Sequence, residues 1–151
     1  MIQVRDIMKI KKYKPLVDKF FWIISVPVFV LVVGLIVLAG FQPLSLIAVI
    51  PLALFVIYFL VSSLFGYVEL RESGIFIKYG LILKKEIPYE KIRGAKEGRG
   101  FYSDSMVALK NSIEHVNIKY NSFDVTTVSV IGNAELVAEL NERCLLSKTA
   151  E

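Results

Sequence analysis

The sequence predicts a membrane-anchored α+β protein, in which a two-helix transmembrane hairpin is followed by a seven-stranded bent sheet or open barrel capped by one C-terminal helix. Residues 20–65 contain no Asp, Glu, Lys, Arg or His, although charged residues make up 21% of the chain. After residue 66 the apolar pattern changes to short alternating runs, and after Asn133 it changes to helical spacing. The core of an ordinary globular domain does not require so long a charge-free block. The block therefore predicts a membrane-spanning region separate from the rest of the chain.

The charge-free block divides into two predicted spans, 20–41 and 44–65. At ~1.5 Å of rise per residue each span is about 33 Å long, close to the ~30 Å of a hydrocarbon core. Gly40, Gln42 and Pro43 predict a tight turn between them. The first span is too long for a cleaved signal peptide, whose apolar stretch is usually only ~7–15 residues. Cleavage would in any case leave the second span in the protein. The spans carry no ionisable residue, which favours an anchor over a transport path.

Residues 1–19 form a predicted basic arm with six Lys or Arg and two Asp, whereas the turn between the spans has no charge. The positive-inside rule places this arm in the cytoplasm, and two crossings return the domain at 67–151 to the same side of the plasma membrane. The arm has two interpretations. Lys9, Lys11 and Lys12 contact anionic lipid in one, and in the other the arm only sets the topology.

The domain at 67–151 is predicted to contain seven strands, separated by turn residues such as Ser73 and Gly74. The last strand is followed by a helix that Asn133 caps and that runs to about residue 146. One face of this helix is apolar and is expected to close the sheet, through Leu136, Val137, Leu140 and Cys144. The predicted strands are 67–70, 75–79, 81–87, 91–96, 106–109, 115–120 and 125–130.

Three segments of this domain resemble the bacterial pleckstrin-homology-like (PH-like) domains: IPYEKIRGAKEGRG at 87–100, SIEHVNIKY at 112–120 and VSVIGNAELVAELNER at 128–143. The family's Ser-x-Asp/Glu-Arg-apolar-x-Ile-x-Tyr segment matches within 112–120, with His115 in place of the Arg. The resemblance implies a PH-like domain behind one or two transmembrane helices. A seven-stranded bent sheet capped by one helix agrees with that fold.

No enzyme signature is found in the sequence, so a non-enzymatic protein without cofactor or metal is expected. His115 is the single His, and its neighbour Glu114 would point to the other face of a strand, so a structural or surface role is favoured over catalysis. Cys144 is predicted to be a buried, inert thiol. From Tyr67 onward, basic and acidic residues are equal in number, which disfavours nucleic-acid binding.

Two groups of residues are candidates for contacts. The loop at 98–105 is either a recognition loop that meets a protein partner through Arg99, Phe101 and Tyr102, or a plain solvated connection. Lys84 and Lys85 either face the anionic inner leaflet or belong to a mixed solvated surface.

These observations predict a membrane-tethered cytoplasmic binding or assembly module that engages the lipid bilayer and a protein partner at the inner leaflet. Tethering favours binding because it confines the module near its target. The alternative is a self-protection protein that gives immunity against a secreted bacteriocin, since small membrane proteins with a PH-like domain include such factors.

Overall fold

The computed structural model describes residues 9–40, 42–103, 105 and 108–149. Parts of the predicted arm, first span, loop, fifth strand and C-terminus lie outside the described residues, namely 1–8, Phe41, Asp104, Met106, Val107 and 150–151. The elements in chain order are β1 (Lys11–Tyr13), α1 (Lys19–Leu38), α2 (Pro43–Leu64), β2 (Tyr67–Leu70), β3 (Gly74–Lys78), β4 (Lys84–Pro88), a 3-10 turn (Tyr89–Lys91), β5 (Ile92–Arg99), β6 (Ala108–Leu109), β7 (Glu114–Tyr120), β8 (Asp124–Val128) and α3 (Asn133–Thr149).

The two predicted apolar helices are confirmed as α1 and α2, and each begins one residue earlier than predicted. Asp18 caps α1, because its carboxylate accepts a hydrogen bond from the Phe20 N–H at 2.8 Å. Gly40 makes the turn after α1 with a φ of +62°, a conformation that glycine adopts without strain. Both helices are long and apolar enough to cross a membrane. Within an 18-residue apolar stretch of each helix, only 17% is buried in α1 and 6% in α2.

Among the described residues, the sheet-rich domain contains two four-stranded sheets instead of the predicted seven-stranded bent sheet or open barrel. The first sheet has the order β1-β2-β3-β4 and is antiparallel throughout. The second has the order β5-β7-β8-β6, in which β6 runs parallel to β8 and covers only its last two residues. The seven predicted strands all have counterparts, although the run predicted from residue 81 forms a strand only from Lys84.

The eighth strand, β1, comes from the predicted N-terminal arm. It pairs with β2 through the register Lys11↔Leu70 and Tyr13↔Val68. Just beyond it, Pro15 forms a bridge with Val130 of the second sheet. The α1–α2 hairpin is therefore inserted between two neighbouring strands of one sheet, and residues on both sides of it build the domain.

The core lies between the two sheets and α3, which packs on β5, β7 and the 3-10 turn. As predicted, Leu136, Leu140 and Cys144 lie on the buried face of α3. The predicted Val137 is only partly buried, and Arg143 is buried in addition. The helix continues to Thr149, three residues beyond its predicted end. The predicted helix, its position and its apolar face are thus confirmed.

Candidate functional site

A groove of about 590 Å³ opens between the first residues of β4 and the first residues of β8. One wall comes from the end of β3, the β3–β4 loop and the start of β4. The other comes from the β7–β8 turn and the start of β8. The lining residues are Tyr79, Leu83, Lys84, Lys85, Ser105, Tyr120, Phe123, Asp124, Val125 and Thr126.

Both walls of the groove end in strand edges that pair with no other described strand. β4 is the last strand of its sheet, so one of its edges is free among the described residues. β6 pairs only with Thr127 and Val128 of β8, which leaves the outer edge of 124–126 unpaired within the same part of the chain. A free edge presents backbone N–H and C=O groups to whatever approaches it. The groove can therefore offer backbone as well as side-chain contacts.

The floor of the groove is polar and tied together by hydrogen bonds. The hydroxyl groups of Tyr79, the residue after β3, and of Thr126 in β8 lie 2.5 Å apart and link the two sheets. The Lys85 ammonium donates to the Tyr120 hydroxyl and lies 4.4 Å from the centre of the same ring. This hydrogen bond raises the pKa of Lys85, so a fixed positive charge lies in the groove. Burial raises the pKa of Tyr79, which keeps its hydroxyl neutral.

The ends of the groove are apolar. Phe123 is 96% exposed at the β7–β8 turn, where Asn121 adopts a φ of +49°. Leu83 is 58% exposed at the other end, next to Lys84. Two exposed apolar side chains with two lysines between them suit an extended segment that carries apolar and acidic residues. Among the residues that the structure describes, Asp124 is the one carboxylate that lines this groove.

The predicted recognition residues Arg99, Phe101 and Tyr102 do not line the groove. The Phe101 ring packs edge-on against Phe20 at a centroid distance of 5.0 Å, so the loop lies beside the first turn of α1. The Lys110 ammonium donates to the Tyr102 carbonyl oxygen at 2.7 Å. Arg99 ends β5 opposite Glu114 and is exposed. Their contact with a protein partner stays a prediction.

The predicted lipid-facing lysines fall into two separate groups. Lys84 and Lys85 line the groove, whereas Lys9, Lys11 and Lys12 lie on or before β1. Lys11 makes ion pairs with two carboxylates of α3, and the Lys12 ammonium lies 3.7 Å from the centre of the Tyr67 ring. Since β1 joins the sheet, these side chains have protein neighbours, and their contact with lipid stays a prediction.

Sequence reasoning missed a buried charge cluster around Arg143, which is 1% exposed. Its guanidinium donates to Glu139 at 2.6 Å and to the Lys9 carbonyl oxygen at 2.7 Å. Burial alone would raise the pKa of Glu139, but hydrogen bonds from Lys11, Tyr13 and Arg143 outweigh it and hold that pKa below its usual value. One signal was present in the sequence, because Arg143 lies on the apolar face of α3.

The joint between helices and domain was also missed. Asp18 accepts hydrogen bonds from the Ser112 hydroxyl at 2.6 Å and the Ile113 N–H at 3.2 Å, in addition to capping α1. The Asn111 amide donates to the carbonyl oxygen of Ser63 near the end of α2, at 2.8 Å. Both helices are thus bonded to one segment before β7. The polar pair Ser62–Ser63 inside an apolar span was the signal for this joint.

The two predicted structural side chains are buried. His115 is buried in β7 with its Nδ1 3.0 Å from the Ile113 carbonyl oxygen, and Glu114 is exposed on the other face. Burial raises the pKa of the Cys144 thiol to about 11, so it is uncharged at neutral pH. Among the described residues, no three His, Cys, Asp or Glu side chains are grouped closely enough to hold a metal ion.

A family model described as bacterial PH domain matches residues 66–144, which is slightly more than half of the chain. The chain belongs to the bacterial PH domain family. No curated protein and no solved structure matches it significantly.

The bacterial PH domain match begins at Gly66, two residues after the end of α2, and ends at Cys144 in α3. It includes both walls of the groove, from β3 and β4 to β8. It does not include β1, although β1 is part of the first sheet. The predicted PH-like family is thus confirmed, and the structure adds one strand from outside the matched range.

Proposed function

We propose that this protein is a non-enzymatic binding module whose bacterial PH domain is held at the cytoplasmic face of the plasma membrane by the α1–α2 hairpin. The exposed apolar surface of both helices supports membrane insertion, since the core helix of a soluble protein would be mostly buried. The basic residues before α1 and the uncharged turn after it support cytoplasmic termini.

The joint at Asp18 and Asn111 supports a fixed rather than a loose tether. Each of the two helices is hydrogen-bonded to the segment before β7, and a backbone bond from the Asp18 N–H to the Asn111 carbonyl oxygen adds a third link. A domain held in this way presents its groove to the cytoplasm in one orientation. A partner confined to the same membrane then meets the groove at a raised effective concentration.

The observation that carries the proposal is the groove between two strand edges that pair with no other described strand. Peptide-binding domains often accept an extended segment as an additional strand, in which backbone bonds give affinity and side-chain pockets give specificity. Here β4 offers an unpaired edge among the described strands, and Leu83 and Phe123 offer apolar contacts. The partner is therefore a protein with an extended segment that fits along β4.

The charges of the groove define the chemistry of that segment. The Lys85 ammonium donates to the Tyr120 hydroxyl, and the neighbouring exposed Lys84 also lines the groove. Two cations against one carboxylate, that of Asp124, among the described lining residues favour a partner segment with at least one acidic side chain. Apolar residues on both sides of that acidic position would meet Leu83 and Phe123.

Site-specific photo-crosslinking in intact cells tests this proposal. A photoreactive amino acid is placed at Phe123 in the groove or at Leu145 on the exposed side of α3, two exposed apolar positions. We expect a discrete crosslinked protein from position 123 and none from 145. Lys84→Glu should weaken that product, and Lys84→Arg should preserve it. Equal products from both positions, or a product that survives Lys84→Glu, would contradict the proposal.

The self-protection alternative gains no support from the comparisons, and no feature of the groove favours a toxin over another protein.

A further inference from the structure

We propose that the β3–β4 tip, residues 80–83, and the aromatic pair Phe101–Tyr102 are immersed in the interfacial layer of the inner leaflet and seat the domain on lipid. This inference rests on the proposed membrane insertion of the α1–α2 hairpin. It assigns a lipid-contacting surface to the folded domain itself, beyond the two helices.

The position of the tip along α2 sets its depth. The Leu81 N–H donates to the Ser62 hydroxyl at 2.9 Å, and Ser62 lies in the last turn of α2. Gly80 approaches so closely that a Cβ there would lie 2.1 Å from the Ser62 Oγ. The tip therefore lies beside the last turn of an apolar helix. If that turn is at the hydrocarbon boundary, the tip is at the same level.

The side chains of the tip suit such a location. Leu81, Ile82 and Leu83 are 45%, 72% and 58% exposed and follow one another in the chain. The Tyr79 N–H donates to the Leu83 carbonyl oxygen at 2.9 Å, which closes the loop and makes the residues between them protrude. Three consecutive exposed aliphatic residues on a turn would be costly in water, and a nearby lipid surface removes that cost.

The aromatic pair marks the same level at the start of α1. Phe20 is the first residue of the charge-free block, and the Phe101 ring packs against it. Phe101 and Tyr102 are 74% and 82% exposed. Aromatic side chains are enriched at membrane interfaces because an apolar ring and a polar edge fit the head-group layer. The Lys110 ammonium, bonded to the Tyr102 carbonyl oxygen, adds a cation at this level.

Because Leu83 belongs to both the tip and the groove, the lipid contact of the tip also fixes the position of the groove relative to the membrane. One end of the groove lies at the lipid surface, and the Phe123 end lies at the far end of the β7–β8 hairpin. A partner segment would approach along the membrane surface. Contact with lipid thus explains why three exposed aliphatic residues precede Lys84.

Environment-sensitive labelling of the full-length protein tests the inference. Single cysteines replace Ile82, Phe123 or Leu54 in a Cys144→Ala background, and each carries a nitrobenzoxadiazole fluorophore. The protein is placed in vesicles of phosphatidylethanolamine and phosphatidylglycerol, with or without a lipid that carries a nitroxide. Phe123 is the matched control, because it is also apolar, is more exposed and lies at the turn of the β7–β8 hairpin. Leu54, exposed in the middle of α2, is the reference for lipid.

We expect blue-shifted emission at 82 and 54, and quenching by the nitroxide lipid at 82 that is about two-fold or more above that at 123. A lipid signal at 54 with a water signal at 82 would overturn the inference and leave the tether intact. Emission typical of water at position 54 would overturn the proposed membrane insertion of the hairpin, and with it the lipid contact of the tip. A lipid signal at 123 would contradict the assigned orientation. Circular dichroism of each labelled protein checks that the fold is retained.

Discussion

The domain has two contrasting sides, an arm side that carries β1 and a groove side that carries the edges of β4 and β8. On the arm side, β1 extends the first sheet and is fastened to α3 by Lys11, Glu139 and Arg143. On the groove side, β4 and the first half of β8 leave their edges unpaired among the described strands. The groove side has a polar floor and exposed apolar ends, but no strand of the described chain covers it.

This difference separates stability from binding. Proteins usually cover or charge their sheet edges, because a free edge invites pairing with another chain. Here the arm side is closed by a strand from before the helices and by buried charges, and these contacts serve stability. The open groove side is then the surface that remains available to a partner. Substitutions should therefore reduce stability on the arm side and binding on the groove side.

The largest effect is expected from Arg143→Met. This change removes the buried guanidinium that bonds to Glu139 and to the Lys9 carbonyl oxygen. Because Glu139 keeps Lys11 and Tyr13 as partners, we expect a loss near the lower end of the usual range, about 3 kcal/mol. Thermal unfolding of the detergent-solubilised protein, followed by circular dichroism, measures it. Arg93→Met, on an exposed position of β5, is the control and should cost less than about 0.5 kcal/mol.

Acid should lower the free energy of unfolding through Glu139 on the arm side, by less than Arg143→Met does. The pKa of Glu139 is lowered in the folded protein, so its contribution is complete above the unfolded value of about 4.5 and is lost as pH falls through the folded value. Glu139→Gln should cost about 2 kcal/mol at pH 7, the loss expected for hydrogen bonds to a charged group. Unfolding measured between pH 7 and pH 3 checks this. A Gln variant with an unchanged acid slope would show that Glu139 does not cause it.

A smaller loss is expected at the β3–β4 tip. In Gly80→Ala the new Cβ would lie 2.1 Å from the Ser62 Oγ and 3.1 Å from the Ser62 carbonyl oxygen. The tip must move, and loss of the Leu81–Ser62 hydrogen bond should cost about 1 kcal/mol. Gly34→Ala is the control, because a Cβ there meets nothing within 4 Å. Hydrogen exchange at the Leu81 amide should rise in the first variant only.

The smallest effect on stability is expected from Phe123→Ser on the groove side. The side chain is almost fully exposed, so the free energy of unfolding should change by less than about 0.5 kcal/mol. A photoreactive group at position 125, which also lines the groove, should nevertheless lose most of its crosslinked partner. A clear loss of stability, or unchanged crosslinking, would remove the contrast between the two sides.

Local sequence patterns predicted much of the fold. A charge-free block gave the two helices, alternation gave the seven strands of 67–130, and the spacing of Leu136, Leu140 and Cys144 gave the last helix. Each of these signals depends on residues close together in the chain. The family resemblance supplied the PH-like fold and was confirmed by the match to residues 66–144.

The parts that were missed depend on distant contacts. β1 is three residues long, with the sequence KKY, and its partner strand lies beyond the whole hairpin. No periodicity can reveal a strand that short. Likewise, Arg143 is buried because the Lys9 and Arg71 carbonyl oxygens face it, and backbone acceptors leave no trace in a sequence. The groove was missed because strand order, which leaves β4 at an edge, was not deducible from strand positions.

The insertion of the helices between β1 and β2 has a practical consequence for anyone who truncates this protein. A fragment that starts at Gly66 covers the family match but lacks the strand that pairs with β2 and the carbonyl oxygen that Arg143 requires. Such a fragment exposes a second edge and is expected to aggregate. Joining residues 9–16 to Gly66 through a short glycine-rich turn would restore both features, since Tyr13 and Val68 are already paired neighbours.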